Sequence, residues 1–450
     1  MTRFVLAFFL AAFVCLGATA AVAKPPRVVK ASPDNGDIGV DPQTRELRIT
    51  FDQPMEPGGM SVVGGGEAFP EPTGKPKWLD RGRTFVLPIK LQADHEYWLS
   101  INNAKYANFQ NRAGESAIPY PISFRTGKSG GQAESANDGQ QRHAVELARE
   151  AVDSAYSYRD RLGLDWDELF DAAEAPLAQS NSAKEFARQL GTLLAKAEDK
   201  HIWLVVNNET IPSFVRPPVP NANFKLLSRL VPNWTMHGQR IASGRWDDGV
   251  GYLAIGNWTA ADVADQLLPA LEQVQKSNGL IIDVRGNGGG DERLAQQLAG
   301  CFTDKRLLYG THVYRDPESP TGFGPVQERW LEPNPDGPQI KTRVVVLTGP
   351  VVMSSCESFL LMMKAAGATL VGDRSQGSSG NPKPHDLGNG VVLYLPSWKD
   401  MTADGDPLEG VGVPADVVVS ASRKDFERAD PVLEAGLRVV RETPAEEPAP

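Results

Sequence analysis

Apolar and polar side chains alternate along several short stretches in the first third of the chain. Three of these stretches are centred on Ile49, Leu87 and Leu99, where every second residue is apolar. Such alternation is typical of β-strands that bury one face. Turn-forming residues, such as the glycines at 64–66, separate the stretches. Residues 24–127 are therefore predicted to form a small all-β sandwich.

Beyond this sandwich the pattern changes twice. Residues 128–141 are mostly Gly, Ser, Gln and charged residues, which predicts a flexible linker. From 142 to 200 apolar residues recur with the helical period, and Ser182 with Glu185 forms a capping-box sequence at the start of one helix. Strand and helix patterns then alternate over 201–440, which predicts an α/β domain.

The two ends of the chain carry patterns of their own. Residues 1–23 combine a positive charge, an apolar stretch and a small-residue Ala-Val-Ala ending, which is the layout of a cleaved secretory signal. A membrane anchor is the alternative, but the apolar stretch is short for a spanning helix. We therefore expect an exported protein, periplasmic or extracellular, with no membrane span after signal removal. Residues 441–450 are rich in Pro, Ala and Glu and are predicted to be a disordered tail.

Charge and cysteine content limit the classes of partner and scaffold. The formal net charge of −10 argues against nucleic acid or an anionic membrane as the main partner. Cys15 leaves with the signal, so Cys301 and Cys356 remain, which is too few for a disulfide scaffold. Their spacing does not decide between a disulfide bond and two buried thiols.

One serine stands where a strand is predicted to run into a helix. The apolar strand from Arg343 to Gly349 is followed by Ser354 and then by a helix that stops at Gly367. A hydroxyl at such a junction lies beside unpaired helical N–H groups that can stabilise an oxyanion, an arrangement suited to acyl transfer. The alternative is structural, because Ser354 and Glu357 also fit a capping box.

A glycine-rich turn follows another predicted strand, in the sequence LIIDVRGNGGG. Asp291 stands where a dinucleotide-binding fingerprint needs a further glycine, and no Gly-Lys-Ser/Thr follows. Nucleotide binding is therefore not expected. Glycines allow backbone N–H groups to approach a ligand closely, which suits either an oxyanion hole or a tight turn.

Four segments occur together in the order found in the C-terminal processing (tail-specific) serine proteases. They are DVRGNGGG, VVVLTGPVVMSSCESF, ATLVGDRSQGSSG and DPLEGVGVPADVVV, and the similarity extends over residues 143 to about 420. The chain resembles the tricorn-like branch of this family, and residues 24–127 resemble a bacterial Ig-like domain. The resemblance implies a multidomain protein in which an all-β Ig-like sandwich precedes a helical segment and a crotonase-like α/β protease domain of ββα units. It also implies hydrolysis of a peptide or protein substrate without a metal or an organic cofactor.

The resemblance places the nucleophile at Ser354. The oxyanion donors would be the backbone N–H groups of Ser355 and of the glycine turn, at Gly289 or Gly290. Cys356 is the other nucleophile to consider, but two residues into the helix it points about 200° away from Ser354 and so towards the core. A buried apolar cysteine is the better interpretation.

The general base departs from the pattern of the bacterial processing proteases. Those proteases place a lysine where this chain has Ser378, and the nearby Lys383 and His385 are alternatives. The tricorn-like branch instead uses a histidine and a late glutamate, which correspond to His201 and Glu409. In such a triad the histidine takes the proton from the serine and the glutamate holds the imidazole. A histidine with the usual pKa predicts that activity declines as the pH falls through roughly 6 to 7.

Substrate selection is expected to use parts of the chain other than a PDZ-like module. The stretch from His201 to the strand at Gly249 shows no such insert. Residues 314–339 are rich in Pro and Gly and are predicted to form a loop over the cleft. Phe323 and Trp330 would then offer an apolar surface for substrate, unless they pack the loop on its own domain. The Ig-like domain is the other candidate for substrate selection.

Three functions follow from these observations. The first is an exported serine endopeptidase with a Ser/His/Glu triad and a backbone oxyanion hole. The second is a non-catalytic peptide- or ligand-binding protein on the same fold, which the missing lysine motivates. The third, a cell-envelope adhesion or scaffold protein, depends on the Ig-like domain alone.

Overall fold

The computed structural model describes residues 24–127, 138–259 and 261–442. The predicted signal peptide, residues 128–137 of the predicted linker and residues 443–450 of the predicted tail lie outside the described residues. Within the described ranges, no helix combines the length and the apolar character that crossing a bilayer requires.

The first domain consists of two facing β-sheets. Its strands are β1 (Val28–Ser32), β2 (Asp37–Val40), β3 (Glu46–Phe51), β4 (Val62–Val63), β5 (Glu71–Pro72), β6 (Lys77–Leu79), β7 (Thr84–Lys90), β8 (Glu96–Ile101) and β9 (Tyr120–Thr126). One sheet has the order β1-β3-β7-β5 with β6 also paired to β7, and the other has the order β2-β9-β8-β4. Leu47, Ile49 and Phe51 alternate along β3 and are all buried in the core of this domain. The predicted all-β sandwich is confirmed.

The second region contains both helices and strands. Its elements are α1 (Asp138–Ala155), α2 (Trp166–Ala178), α3 (Ala183–Leu194), β10 (Trp203–Val206), β11 (Glu209–Pro212), α4 (Phe224–Leu230), β12 (Thr235–His237), β13 (Ile241–Arg245), β14 (Val250–Ile255), α5 (Ala261–Val274), β15 (Gly279–Asp283), α6 (Glu292–Ala299), β16 (Leu307–Tyr314), β17 (Gln327–Leu331), β18 (Arg343–Thr348), α7 (Ser355–Ala365), β19 (Thr369–Gly372), β20 (Pro382–Asp386), β21 (Val391–Pro396), β22 (Trp398–Thr402), β23 (Val417–Val418) and α8 (Pro431–Arg441). The predicted fold class, an Ig-like domain followed by an α/β region with helices at its start, is confirmed.

The first helix begins earlier than the sequence predicts. Residues 138–141 belong to α1, although the composition favours a linker up to residue 141. Gln141 is buried, and its Oε1 accepts a hydrogen bond from Asn389 Nδ2 (2.7 Å). Packing against the domain therefore stabilises a helical turn in a segment of polar composition.

A mixed sheet of seven strands, counted over the described residues, forms the centre of the α/β region. Its order is β12-β13-β14-β15-β18-β19-β23, and the strands from β14 to β23 are parallel. Helices α5, α6 and α7 pack on one face, and α4 and α8 pack on the other. Because parallel strands end at the same edge, the segments that follow β15 and β18 lie side by side there. These segments are the glycine turn, residues 286–290, and the turn that contains Ser354.

Two smaller sheets lie beside the central sheet, and segments next to their strands carry further residues of the candidate site. The sheet β11-β10-β21-β20 packs against α1, α2 and α3, and the sheet β17-β16-β22 lies beside α7. His201 lies just before β10, Ser378 lies between β19 and β20, and Glu409 lies between β22 and β23.

The predicted loop over residues 314–339 is partly a strand. Residues Gln327–Leu331 form β17, which pairs antiparallel with β16. Arg329 and Leu331 alternate on this strand and are both buried. The prediction of an unstructured loop is therefore wrong for this part, because the segment pairs with β16 and buries Arg329 and Leu331.

The Ig-like domain contacts the helical segment directly. Asn35 Nδ2 donates to the carbonyl oxygen of Ala195 (2.8 Å), and Lys196 Nζ pairs with Asp37 Oδ1 (2.7 Å). Both contacts involve the short turn that leads from α3 towards His201.

A buried ion pair anchors the segment that carries the glycine turn. The guanidinium of Arg285 donates to both carboxylate oxygens of Asp283 (2.9 and 2.6 Å) and to Asp430 Oδ1 (2.8 Å). Asp430 is also the N-cap of α8, where it accepts from the N–H of Leu433 (3.0 Å). The end of β15 is therefore tied to the start of α8 immediately before the glycine turn.

We expect Arg285→Met to lower the free energy of unfolding of the α/β region by about 3–5 kcal/mol, because Asp283 and Asp430 would remain buried without their cation. Arg293→Met is the matched control, since Arg293 is 87% exposed in its pair with Asp291 and its loss should change stability little. Urea unfolding followed by near-UV circular dichroism measures both variants. Equally small effects would contradict the anchoring role of Arg285.

Candidate active site

Ser354 lies at the start of α7 in an uncommon backbone conformation. Its φ and ψ are 58° and −135°, in a region that non-glycine residues rarely adopt. Its N–H donates to the carbonyl oxygen of Ser378 (2.7 Å) and to Glu357 Oε2 (3.3 Å), and these bonds hold the turn. The residue is only half-buried. A strained turn from strand to helix that presents an accessible serine is the geometry of a nucleophile elbow.

The glycine turn packs directly against Ser354. A Cβ atom on Gly289, whose φ is +100°, would lie 2.7 Å from Ser354 Cβ and 3.3 Å from the nitrogen of Ser355. The N–H of Gly289 already donates to Asn287 Oδ1 (2.9 Å). The N–H groups of Gly290 and Ser355 have no hydrogen-bond partner among the described residues. Of the two predicted glycines, Gly290 is thus the one with a free donor, while Gly289 allows the close approach.

His201 is buried next to Asp199 and Ser378. Its backbone N–H donates to Asp199 Oδ1 (2.8 Å), and its ring Nδ1 lies 2.9 Å from Ser378 Oγ. Burial, helped by the nearby positive charge of Lys200, lowers the pKa of His201 to about 4. The imidazole is therefore neutral at physiological pH, and the decline of activity expected from the sequence at pH 6 to 7 must be revised to a lower pH.

Glu409 is buried beside the same imidazole. Its Oε2 accepts from the N–H of Ser379 (2.8 Å), and a carboxylate oxygen of Glu409, one of Asp199 and a ring nitrogen of His201 all lie within 4.8 Å of one another. Burial, reinforced by the neighbouring carboxyl of Asp199, raises the pKa of Glu409 well above its usual range. Burial also raises the pKa of Asp199 to about 6. The negative charge of Asp199 therefore favours the protonated form of Glu409.

The nitrogen and two oxygens of this cluster are also ligand types that a divalent cation accepts. All three residues are buried, and each already has an internal hydrogen-bond partner: Ser378 for His201, Ser379 for Glu409 and Tyr156 for Asp199. The cluster is therefore explained without an ion.

The three predicted catalytic residues contact one loop, Ser354 through its backbone N–H and His201 and Glu409 through their side chains. Ser354 and His201 both contact Ser378, and Glu409 contacts the next residue, Ser379. Among the described contacts, no hydrogen bond joins Ser354 Oγ to the imidazole. Catalytic hydrogen bonds in substrate-free enzymes are often long and tighten when substrate binds, so this geometry is compatible with a serine and its base.

The alternative bases lie elsewhere. Lys383 and His385 both belong to β20, where Lys383 is exposed and His385 is half-buried. Neither has a described contact with Ser354. The cysteines are also accounted for, since Cys301 and Cys356 are buried free thiols. Burial raises the pKa of Cys356 well above its usual value, so it is not a thiolate nucleophile.

Phe323 and Trp330, the predicted substrate-binding residues, have no described contact with the predicted catalytic residues. The ring of Phe323 lies under Lys399 Nζ (5.6 Å), and the ring of Trp330 lies under the guanidinium of Arg306 (4.2 Å). No described contact links either ring to Ser354. Their role in substrate binding stays a prediction.

Glu357 holds the loop of residues 375–378 in place. The sequence identifies this residue only as part of a helix cap. Glu357 accepts hydrogen bonds from Ser375 Oγ (2.6 Å), from the N–H of Gly377 (2.7 Å) and from the N–H of Ser378 (3.0 Å). Burial raises the pKa of Glu357 to about 8, although these donors act in the opposite direction. The capping-box spacing identifies Glu357, but nothing in the sequence indicates that it reaches across to this loop.

The sequence also gives no sign of a second buried network of hydrogen bonds. Arg329 on β17 donates to Asp400 and to Ser358 Oγ (3.0 Å), and Asp400 Oδ2 in turn accepts from Ser379 Oγ (2.5 Å). Ser379 therefore bridges the carboxylates of Asp400 and Glu409. Because these residues come from separate segments, no local pattern could have predicted the network.

Comparison with known proteins identifies both domains. Residues 249–419 match the sequence profile of Peptidase family S41, and residues 22–126 match that of a bacterial Ig-like domain. The chain is 26% identical over 194 residues to the carboxy-terminal processing protease CtpB of Bacillus subtilis, which covers 42% of this chain and 38% of that protein. It is 25% identical over 211 residues to the Tricorn protease of Thermoplasma volcanium, covering 46% of this chain and 19% of that protein. The match thus spans less than two fifths of either relative.

Solved structures support the same fold. A protein of Parabacteroides merdae superposes with a TM-score of 0.57 at 22% identity, covering 69% of this chain and 98% of the other. Mature CPAF superposes with a TM-score of 0.54 at 11% identity, covering 68% and 97%. At these identities the similarity establishes the architecture alone. Together with the profile matches, it shows a bacterial Ig-like domain followed by a region that is similar to Peptidase family S41.

Proposed function

We propose that the protein is an exported serine endopeptidase that cleaves peptides or proteins with a triad of Ser354, His201 and Glu409. The observation that carries this proposal is that the backbone N–H of Ser354 and the side chains of His201 and Glu409 all bond to the same loop, at Ser378 and Ser379. Export is supported by the signal-like pattern of residues 1–23 and by the Ig-like domain.

The proposed reaction assigns one role to each of these groups. Ser354 Oγ attacks the carbonyl carbon of the scissile bond while His201 takes the hydroxyl proton, and the carbonyl oxygen becomes an oxyanion. His201 then returns the proton to the leaving amine as the C–N bond breaks, which leaves an acyl group on Ser354. A water molecule, deprotonated by His201 in the same way, releases the acid and restores the serine. Glu409, in its ionised form, stabilises the imidazolium that forms in each half of the reaction.

Backbone donors stabilise the oxyanion. The N–H of Ser355 lies at the start of α7, where the helix has no internal acceptor for it. The glycine turn supplies the second donor, at Gly290 or, if it exchanges its bond to Asn287, at Gly289. Such fixed donors contribute roughly 10²–10³-fold to the rate.

A non-catalytic binding protein on the same fold is the second candidate. It is motivated by Ser378 at the position of the family lysine and by the missing hydrogen bond between Ser354 Oγ and His201. A fluorophosphonate probe separates the two, because it reacts with an activated serine and not with an inert one.

We expect the probe to label the wild-type protein stoichiometrically and Ser354→Ala not at all, while peptidase activity falls at least about 10⁴-fold in the variant. Ser355→Ala is the matched control: its hydroxyl is buried without a partner, and its backbone N–H is retained. It should be labelled like the wild type. Mass spectrometry of the labelled peptide and circular dichroism of each variant provide the measurements. An unlabelled wild-type protein that folds normally would leave the binding function as the conclusion.

The pH profile should have an unusually low acid limb. The base must be neutral, and burial holds the pKa of His201 near 4, so activity should persist at pH 5 and disappear as the pH falls through about 4. Lys200→Gln removes the positive charge that helps to lower this pKa, and the acid limb should move to higher pH. Hydrolysis rates from pH 3 to 8, with folding checked at each pH, test both statements. If activity fell near pH 6 to 7 and this pH were the same in Lys200→Gln, the assignment of buried His201 as the base would be contradicted.

The close contact of the glycine turn gives a third test. Gly289→Ala should displace the nucleophile turn and reduce the labelling rate by about 100-fold or more, because its Cβ would overlap Ser354 Cβ at positive φ. Gly288→Ala is the matched control, since its Cβ would meet nothing closer than Met353 Cγ at 3.9 Å. The labelling rates of the two variants are compared directly. Equal rates would show that the turn does not shape the site.

A further inference from the structure

Ser378 contacts three residues of the site through hydrogen bonds. Its carbonyl oxygen accepts from the N–H of Ser354 (2.7 Å), its N–H donates to Glu357 (3.0 Å), and its hydroxyl lies 2.9 Å from Nδ1 of His201. The residue is buried, with 3% of its surface exposed. One residue therefore contacts the nucleophile through its backbone and the base through its side chain.

The hydroxyl of Ser378 takes the place at the imidazole that a carboxylate holds in most triads. Glu409 directs Oε2 at the N–H of Ser379, and Asp199 accepts the backbone N–H of His201. Neither carboxylate is the described partner of Nδ1. The direct restraint on the ring is therefore the serine hydroxyl, with the two acids behind it.

This contact decides which ring nitrogen can act as the base. With Nδ1 engaged by Ser378, Nε2 is the nitrogen left for the proton of Ser354. A neutral imidazole has one protonated nitrogen, so a base at Nε2 needs the proton on Nδ1. That proton is then donated to Ser378 Oγ, and the hydrogen bond selects the productive tautomer.

We propose that Ser378 is a positioning residue that fixes the tautomer and orientation of His201, so that Nε2 faces the nucleophile. The proposal rests on the proposed function, because it assigns a role toward the same base. It also explains what the residue at the position of the family lysine does in this chain. Ser378 does not accept the proton but holds the group that accepts it.

The hydroxyl can be removed without disturbing the backbone contacts. Ser378→Ala keeps the bonds of its N–H to Glu357 and of its carbonyl oxygen to Ser354, so the loop and the nucleophile turn retain their anchors. Ser379→Ala is the matched control, because this neighbour is equally buried but directs its hydroxyl to Asp400. The two variants differ in which group loses a partner, the imidazole or a carboxylate.

Nuclear magnetic resonance of protein labelled with ¹⁵N-histidine reports the tautomer directly. The signals of His201 are those that disappear in His201→Gln. We expect the wild type and Ser379→Ala to carry the proton on Nδ1, and Ser378→Ala to show a mixture of both tautomers. The same tautomer in the wild type and in Ser378→Ala would overturn the proposal.

Kinetics provide the second readout. Ser378→Ala should lower kcat by about 10- to 100-fold with KM changed less than about twofold, since a hydrogen bond to a group that becomes charged is lost without a change in substrate contacts. Unchanged kcat in a folded variant would also overturn the proposal. Full activity in Ser354→Ala would instead refute the proposed function. The tautomer measurement needs no activity, so the two failures are distinguishable.

Discussion

The buried carboxylate of Glu357 joins the two parts from which the site is built. It accepts from the N–H of Ser354 on one side and from Ser375, Gly377 and Ser378 on the other. A carboxylate without donors would be costly in this interior, so the loop and the turn are held together at the one place where its oxygens are satisfied. The contacts of Ser378 with His201 and of Ser379 with Glu409 depend on this anchor, because both serines belong to the same loop.

The site separates a half-buried serine, the proposed nucleophile, from a buried histidine and a buried glutamate. Ser354 is half-buried at the edge of the sheet, whereas His201 and Glu409 are 6% and 5% exposed. In the proposed mechanism, substrate reaches the hydroxyl of Ser354, while the imidazole and the carboxyl group are shielded from bulk solvent. In such surroundings fixed dipoles act more strongly than in water and need little rearrangement during the reaction. The depressed pKa of the histidine is a consequence of the same burial.

The sequence was most informative where chemistry follows local structure. The junction of strand and helix at Ser354 and the glycines of the neighbouring turn were visible because backbone geometry restricts which residues fit there. The pairing of His201 with Glu409 came only from the resemblance to a family. The sequence marks Ser378 as the position of an absent lysine and gives no sign that it is a partner of the imidazole, because that contact joins residues far apart in the chain.

Arg329 illustrates the limit of composition as a guide. It lies in a stretch rich in Pro and Gly that is typical of a loop, yet it is buried against Asp400 on a paired strand. The local sequence contains no sign of a partner supplied by β22. The Asp-x-His spacing of Asp199 and His201, by contrast, is a local signal, since the carboxylate accepts the backbone N–H of the histidine two residues later.

The proposed nucleophile, base and acid lie on segments that become neighbours only when the central sheet and the sheet of β10 and β21 have formed. A chain that has assembled only one of these layers contains an isolated alcohol or an isolated imidazole, and neither of them alone cuts a peptide bond at a useful rate. Hydrolytic competence is thus a property of the completed architecture. Under the proposed function, a nascent molecule therefore gains peptidase activity only when its last layer is in place.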